Sequence, residues 1–399
     1  MTPVKKTNEV DFLLGDEKVV CLPVVPFDSL TCAFLDDLSS MLRKTAEAKA
    51  LPDVMSFAFW CRKANLEKLK KIHTDDNVRL GVGKVFHITP SNVPVNFAFS
   101  FVFGLLSGNA NIVRVPSKDF PQTSVICRAI NGLFTQEKYQ RIREATSFVR
   151  YERGGDVTNE FSRDCNARII WGGDVTIRDI RKYPVPERCV EIAFADRYSF
   201  CAIDAPSVLE LDDAGLKRLC ERFYNDTYLM DQNACSSPHL LVWLGEEKEA
   251  ARERFWNGVF ERVNKTYDLA PITAVDKFTM FCQNAVDMDN VDGFNRHQNL
   301  VYRMKINSVP TALDSLRGSC GYFYEYDTDD INSLAHAVNV KYQTLTYFGV
   351  AKKYLSDFVV QNGLLGIDRI VPVGQALDIG LVWDGYDVVR TLSRIVDVR

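Results

Sequence analysis

Residues 83–89 read GKVFHIT, and after them come VNFAFSFVFGLL (95–106), NIVRV (111–115), PQTSVICRAINGLF (121–134), SFVRY (147–151) and ARIIW (167–171). The short runs are almost continuously apolar, and the longer ones between them have helical composition. Strand alternating with helix in this rhythm builds a parallel sheet, and strands apolar at successive positions are those buried on both faces. The stretch predicts a doubly wound α/β domain over 81–204, with ligands expected at the carboxyl ends of its strands.

Beyond it, DDAGLKRLCERFYND (212–226) has the acidic start and apolar period of an amphipathic helix. HLLVWLG (239–245), a long helix near 246–264, LVYRMKI (300–306), YFYEYD (322–327) and a helix near 329–340 continue the same rhythm. This predicts a second α/β domain over 205–365. Residues 1–80 offer a strand-like KVVCLPVV (18–25), an amphipathic helix near 29–48 and a basic helix near 56–72, and read as an arm or cover. Residues 366–399 form a C-terminal segment and a possible interface. No internal repeat or low-complexity linker interrupts the chain.

Composition narrows the function. The 399 residues carry 48 basic and 52 acidic side chains, scattered through a chain that is 46% hydrophobic. Such a balance excludes disorder and leaves no basic footprint for nucleic acid, so a small-molecule substrate is expected. The eleven cysteines include no CxxC pair and no metal-ligand spacing, so reduced thiols and no metal site are expected. The N-terminal MTPVKKTNEVDFLL lacks the apolar core of a secretory signal, which points to the cytoplasm. Val85–Val113 holds no charged residue, yet prolines, asparagines and a glycine interrupt it. Its continuous apolar part would make a helix of roughly 20 Å, short of the ~30 Å of a membrane span, and so predicts a helix buried in a domain.

Three motifs bear on chemistry. The GxGxxG dinucleotide fingerprint is missing, and Gly81-x-Gly83 precedes a strand instead of following one. Trp171-Gly172-Gly173-Asp174 follows an apolar strand and precedes a helix, where glycines permit close approach of a phosphate or nicotinamide, or simply make a strand-to-helix turn. Asn92, in Thr89-Pro90-Ser91-Asn92-Val93-Pro94, ends the first strand of the sheet, where its amide can donate to a developing oxyanion or cap the next helix. Cys235, in Asp231-Gln232-Asn233-Ala234-Cys235-Ser236-Ser237-Pro238, lies among small and polar residues, a setting that suits a nucleophilic thiol better than a buried structural one. His239 reads as a strand residue and not as its base.

Taken together, SNVP, GNANIVRVPS, WGGD, DQNACSSP and the closing GIDRIVPVGQALDIGLVWDGYD and TLSRIV resemble the LuxC-like acyl-CoA reductases, a branch of the aldehyde dehydrogenase superfamily. The resemblance runs from about residue 80 to the C-terminus. It implies an aldehyde dehydrogenase-like α/β fold, with a doubly wound parallel-sheet cofactor domain and a second α/β catalytic domain. Cys235 would be the nucleophile that takes the acyl group, and Asn92 the oxyanion asparagine, with Ser91 replacing the superfamily's usual aromatic residue. Glu191 falls where the superfamily has its general base, although Ala193-Phe194 replaces the usual Gly-Gly; a structural glutamate at a strand start is the other reading.

The resemblance puts the cofactor against Thr89, Pro90, Ser91, Arg114, Ser117, Lys118, Trp171, Gly172, Gly173 and Asp174. Pro116-Ser117-Lys118 matches a Pro-Ser-Glu stretch near the adenosine ribose, and a base at Lys118 would favour the 2′-phosphate of NADPH. One extra residue after Gly108 makes Arg114 the rival for that role. The activity implied is NADPH-dependent reduction of an acyl-CoA or acyl-protein thioester to an aldehyde. The alternatives are an NAD-dependent aldehyde dehydrogenase that hydrolyses its acyl-enzyme, and a non-catalytic acyl-carrying subunit. An acyl-protein synthetase or acyltransferase partner and a homodimer or homotetramer are implied by the same analogy.

Overall fold

The computed structural model describes residues 5–7, 10–91, 93–152 and 156–399, and the chain divides into two compact units. One comprises Met1–Ala195 and Leu381–Arg399, the other Asp196–Gly380. The boundary expected at 204 therefore moves back to 195, because the strand Tyr198–Asp204 hydrogen-bonds into the second unit's sheet.

The strands of the first unit are β1 (Lys5–Thr7), β2 (Val10–Leu14), β3 (Val78–Gly81), β4 (Lys84–Ile88), β5 (Ala110–Arg114), β6 (Thr146–Arg150), β7 (Ala167–Trp171) and β8 (Val190–Phe194). Its main sheet has the order β1-β2-β6-β5-β4-β7-β8, in which β6, β5, β4, β7 and β8 are parallel, β2 joins β6 antiparallel and β1 joins β2 antiparallel. Chain order reverses direction at β4, so a crevice opens beside the carboxyl ends of β4, β5 and β7, the point at which open α/β sheets bind ligands.

The uncharged stretch forms the helix Asn96–Leu106, buried at every position from Phe97 to Leu106. Phe97 and Phe101 meet Phe148 of β6 edge-on at 5.7 and 4.9 Å. On its other side Phe99 meets Phe57 and Trp60 of the helix Pro52–Trp60. The N-terminal residues thus cover a helix that is apolar all round. Among the described residues, no helix is long and apolar enough to cross a membrane.

Three expectations for this unit change. KVVCLPVV makes no strand: Val20 and Val24 donate single backbone bonds to Glu144 and Gly108, while Pro23 has no N–H with which to extend a ladder. The basic helix splits at Cys61-Arg62 into Pro52–Trp60 and Lys63–His73. The C-terminal segment is shared between the units: Arg369–Pro372 is a strand of the second sheet, whereas Ser393–Val396 pairs antiparallel with β3. Trp383, Val388, Val389 and Leu392, within the stretch considered as an interface, are buried inside the first unit.

The second unit contains β9 (Tyr198–Asp204), β10 (Leu240–Leu244), β11 (Val291–His297), β12 (Val301–Ile306), β13 (Tyr322–Asp327), β14 (Tyr342–Phe348) and β15 (Arg369–Pro372). Their order is β11-β12-β13-β10-β9-β14-β15, parallel except for β11 at one edge. The inner strands are buried at successive positions because both faces are packed. Phe223, Phe255 and Trp256 from the helices Asp213–Thr227 and Lys248–Thr266 cover one face, and Tyr198, Phe200, Leu240, Tyr342 and Leu345 build the core of the other. The helix expected near 329–340 is a 3-10 segment, Ile331–Ala337.

Candidate active site

The carboxyl ends of β4, β5 and β7 bring together most of the residues expected to hold a cofactor. Thr89 Oγ1 donates to Arg114 O at 2.6 Å, fixing the end of β4 to that of β5. Arg114 is buried: its guanidinium lies 4.8 Å from the Tyr151 ring centroid and Nη2 donates to Tyr151 O. Ser117 and Lys118, just beyond β5, are exposed, and Lys118 Nζ lies 5.4 Å from the Phe120 ring centroid. Of the two basic candidates, Lys118 is the one open to solvent. Pro90 and Ser91 are half-buried at the end of β4; Asn92 lies outside the described residues.

Trp171 is held from behind by a chain of hydrogen bonds. Its Nε1–H donates to Ser100 Oγ at 2.9 Å, and Ser100 Oγ lies 2.8 Å from His87 Nδ1. His87 Nε2 is 3.0 Å from Asn111 Oδ1, while Asn111 Nδ2 donates to Asn109 O. Only one proton arrangement satisfies every member: His87 neutral with the proton on Nε2, and the Ser100 hydroxyl donating to Nδ1. Complete burial pulls the His87 pKa down to about 4, partly opposed by the Asn111 bond, in keeping with that neutral state. The Trp171 ring stacks on Phe194 at 3.8 Å.

Next along the chain, Gly172 N–H bonds to Phe194 O, and Gly173 precedes the helix Asp174–Ile180. A Cβ on Gly173 would meet nothing within 4 Å, so the second glycine faces open space. Asp174 places a carboxylate in the first turn of that helix, which favours the helix dipole but competes with an incoming phosphate.

Glu191 does not have the surroundings of a general base. Arg168 donates to its Oε2 from Nε at 2.9 Å and from Nη2 at 2.5 Å, and Arg181 Nε donates to Oε1 at 2.7 Å. Burial pushes its pKa up, but bonds from Arg181 and Arg168 outweigh burial and hold the carboxyl below its ordinary range. A carboxylate stabilised on both oxygens is a poor proton acceptor. These surroundings favour the structural reading of Glu191 over the catalytic one.

Cys235 lies in the second unit, in the turn that leads to β10, and is half-buried. Asp231 and Gln232 both take left-handed backbone conformations, φ 51° and 62°. Such geometry disfavours non-glycine residues and needs support. Buried Gln232 gives that support: Nε2 donates to Pro238 O and Tyr322 O, and Oε1 accepts from Gly321 N–H. Ser237 Oγ donates to Asp226 O, and Ser199 Oγ, from β9, donates to Cys235 O. The thiol itself receives Nε2–H of Gln343 on β14, at 3.3 Å.

His239 stands directly before β10. Its Nδ1 must carry the proton it gives to Gly318 O, and burial, with Arg317 nearby, holds its pKa down to about 4. It belongs to the support of the turn.

Sequence reasoning missed Gln232, Ser199, Gln343 and Asp226. Asp226 accepts backbone N–H from Gly374 and Ala376 at 2.6 and 2.9 Å, docking the VGQA run on the helix that leads into the cysteine turn. Asp226 and that run were both visible as sequence, but their pairing across 148 residues was not.

Two α/β units, each built on a largely parallel seven-stranded sheet, make an aldehyde dehydrogenase-type fold. Solved structures agree. An oxidoreductase from Marinobacter aquaeolei matches with a TM-score of 0.65 over 96% of this chain and 87% of its own, at 12% identity. A glyceraldehyde-3-phosphate dehydrogenase from Methanocaldococcus jannaschii, solved in complex with NADP, matches with a TM-score of 0.62 over 92% and 88%, at 13% identity. Residues 27–294 match the family described as acyl-CoA reductase (LuxC), and the chain belongs to that family. A long-chain acyl-protein thioester reductase from Vibrio harveyi is 24% identical over 325 aligned residues, a match that covers 79% of this chain and 63% of that protein.

Proposed function

We propose that the protein reduces an acyl thioester to an aldehyde with NADPH, by way of an acyl group carried on Cys235. The observation that favours reduction over hydrolysis is the state of Glu191. Hydrolysis of an acyl-enzyme needs a base to activate water, and here the carboxylate at that position is neutralised by Arg168 and Arg181.

The Cys235 thiolate attacks the thioester carbonyl and expels the donor's thiolate, with Asn92 and the Cys235 N–H as the proposed oxyanion donors. The crevice beside Thr89, Pro90, Ser91 and Trp171–Asp174 fits a nicotinamide cofactor because Gly173 leaves the approach open. Once bound, NADPH supplies the hydride. Exposed Lys118, with Ser117, is the group we assign to a 2′-phosphate, and its exposure supports that choice over buried Arg114, which stiffens the strand ends beneath. The donor is CoA or an acylated protein; the name of the Vibrio harveyi relative favours the second, and with it an acyl-transferring partner.

The test is NADPH consumption with a ladder of acyl thioesters, running Cys235→Ala beside the parent. Turnover with a chain-length optimum that Cys235→Ala abolishes is expected. NAD-linked oxidation of aldehydes in its place would return Glu191 to the base's role. Acylation of Cys235 without turnover under either regime would make the chain an acyl carrier.

A further inference from the structure

We propose that Gln343 is a catalytic residue of the cysteine site, its side-chain N–H stabilising first the Cys235 thiolate and then the oxyanion formed on the acyl carbon. The inference rests on the reading of Cys235 as the nucleophile. Two independent features of the second unit carry it.

The first is the contact. Gln343 is fully buried on β14, and its Nε2 lies 3.3 Å from Cys235 Sγ. Thr344 Oγ1 donates to Gln343 Oε1 at 3.2 Å, which occupies the acceptor end of the amide and turns the donor end toward sulfur. A buried neutral donor aimed at a thiol favours its ionised form, since a thiolate accepts the bond better than a thiol does.

The second is the backbone. The β14–β9 ladder pairs Tyr342 with Tyr198 and Leu345 with Phe200, so Gln343 and Thr344 together oppose the single residue Ser199. An extra residue of this kind is a β-bulge, a device that re-aims side chains next to active sites. Thr344 N–H bonds to Ser199 Oγ, and the Ser199 hydroxyl donates in turn to Cys235 O. The bulge therefore grips Cys235 twice, at sulfur through Gln343 and at its carbonyl through Ser199.

The role follows the electrons. As the thiolate attacks, a C–S bond forms, the carbonyl π pair moves onto oxygen, and collapse of that oxyanion breaks the bond to the donor sulfur. Hydride from a reduced nicotinamide then adds to the same carbon, and the second oxyanion collapses to free aldehyde and Cys235 thiolate. The nicotinamide loses two electrons and the thioester gains them; the thiolate that leaves is the state Gln343 stabilises.

The test is the pH dependence of Cys235 alkylation by iodoacetamide, followed on the Cys235 peptide by mass spectrometry, with steady-state turnover measured on the same samples. Gln343→Met keeps the length of the side chain and removes the donor. We expect alkylation at pH 7 to fall about tenfold and kcat about a hundredfold, with KM changed little. Thr344→Val leaves Gln343 in place and frees its amide to rotate, and should lower both rates by a smaller factor; it stands in if Gln343→Met does not fold. Alkylation and kcat at parent values in these folded variants, with Cys235→Ala inactive, would overturn the role of Gln343 and leave the nucleophile standing. Full activity of Cys235→Ala would overturn the reading beneath it.

Discussion

The glycine turn after β7 and the cysteine turn before β10 are held in opposite ways. Gly172 and Gly173 are fixed by sheet register and two backbone bonds, Gly172 N–H to Phe194 O and Ile177 N–H to Gly173 O, with open space above Gly173. The cysteine turn has two left-handed residues and is held by the side chains of Gln232, Ser237, Ser199 and Gln343. On the proposed function, the first turn admits a ligand and so tolerates emptiness, whereas the second keeps a nucleophile in one place. The first turn should therefore be robust to substitution and sensitive in binding, and the second the reverse.

The largest expected effect lies at Gln232. Gln232→Ala leaves Pro238 O, Tyr322 O and Gly321 N–H without their side-chain partner in a buried site, at a cost of about 3–4 kcal/mol. Chemical denaturation should show that loss, and Cys235 alkylation should slow as the turn loosens. A loss below about 1 kcal/mol would mean that the strained backbone, and not the side chain, holds the turn.

Acid separates the two units. Protonation of a fully buried His87 favours the unfolded chain, so its contribution is complete above the unfolded pKa of 6.5 and is lost as pH falls toward about 4. At pH 4.5 this removes about 2.5 kcal/mol from the first unit. His239 and, more weakly, His297 act in the same direction in the second unit. There Asp226 opposes them: burial, resisted by the Gly374 and Ala376 N–H groups, raises its pKa to about 7, so it favours the folded state increasingly as pH falls from 7 toward 3.8. Half-buried Asp378, also raised by burial, adds to that opposition. Hydrogen-exchange protection should thus fall further in β4 and β5 than in β9 and β10 between pH 7 and 4.5. Asp226→Asn should remove the difference by making the second unit as acid-sensitive as the first.

A smaller effect is expected at Glu191. Glu191→Gln weakens partly screened pairs with Arg168 and Arg181 and should cost about 1 kcal/mol, with thioester reduction kept within about threefold. A hundredfold loss of turnover in a folded variant would show that the carboxylate does take a proton from water.

The same contrast explains what could be read before the fold was known. The parallel strands of the first sheet were legible because burial on two faces writes itself into consecutive positions, as in ARIIW. The glycine turn was legible because a strand end, a glycine pair and a helix start are neighbours in the chain. Cys235 stood out only by its polar neighbours. Its partners did not stand out, because Ser199 and Gln343 reach it from 36 and 108 residues away and a bulge, which no periodicity signals, aims the second of them. The partners of Glu191 were hidden for the same reason: nothing in the sequence marks its arginines as a pair to it, and only strand register puts Arg168 opposite it.

The smallest change in stability belongs to Gly173, and it sharpens the contrast most. Gly173 has φ −68°, which any residue adopts, and a methyl there meets no atom within 4 Å. Gly173→Ala should therefore leave stability within about 0.5 kcal/mol of the parent, or raise it slightly by restricting the unfolded chain. Nothing in the fold requires glycine at this position, so the methyl's only consequence should be to crowd whatever approaches the turn. NADPH titrated against the two proteins, with protein fluorescence as the readout, is expected to bind Gly173→Ala several-fold more weakly. Equal affinity would separate this glycine from the cofactor and leave it a strand-to-helix turn like any other.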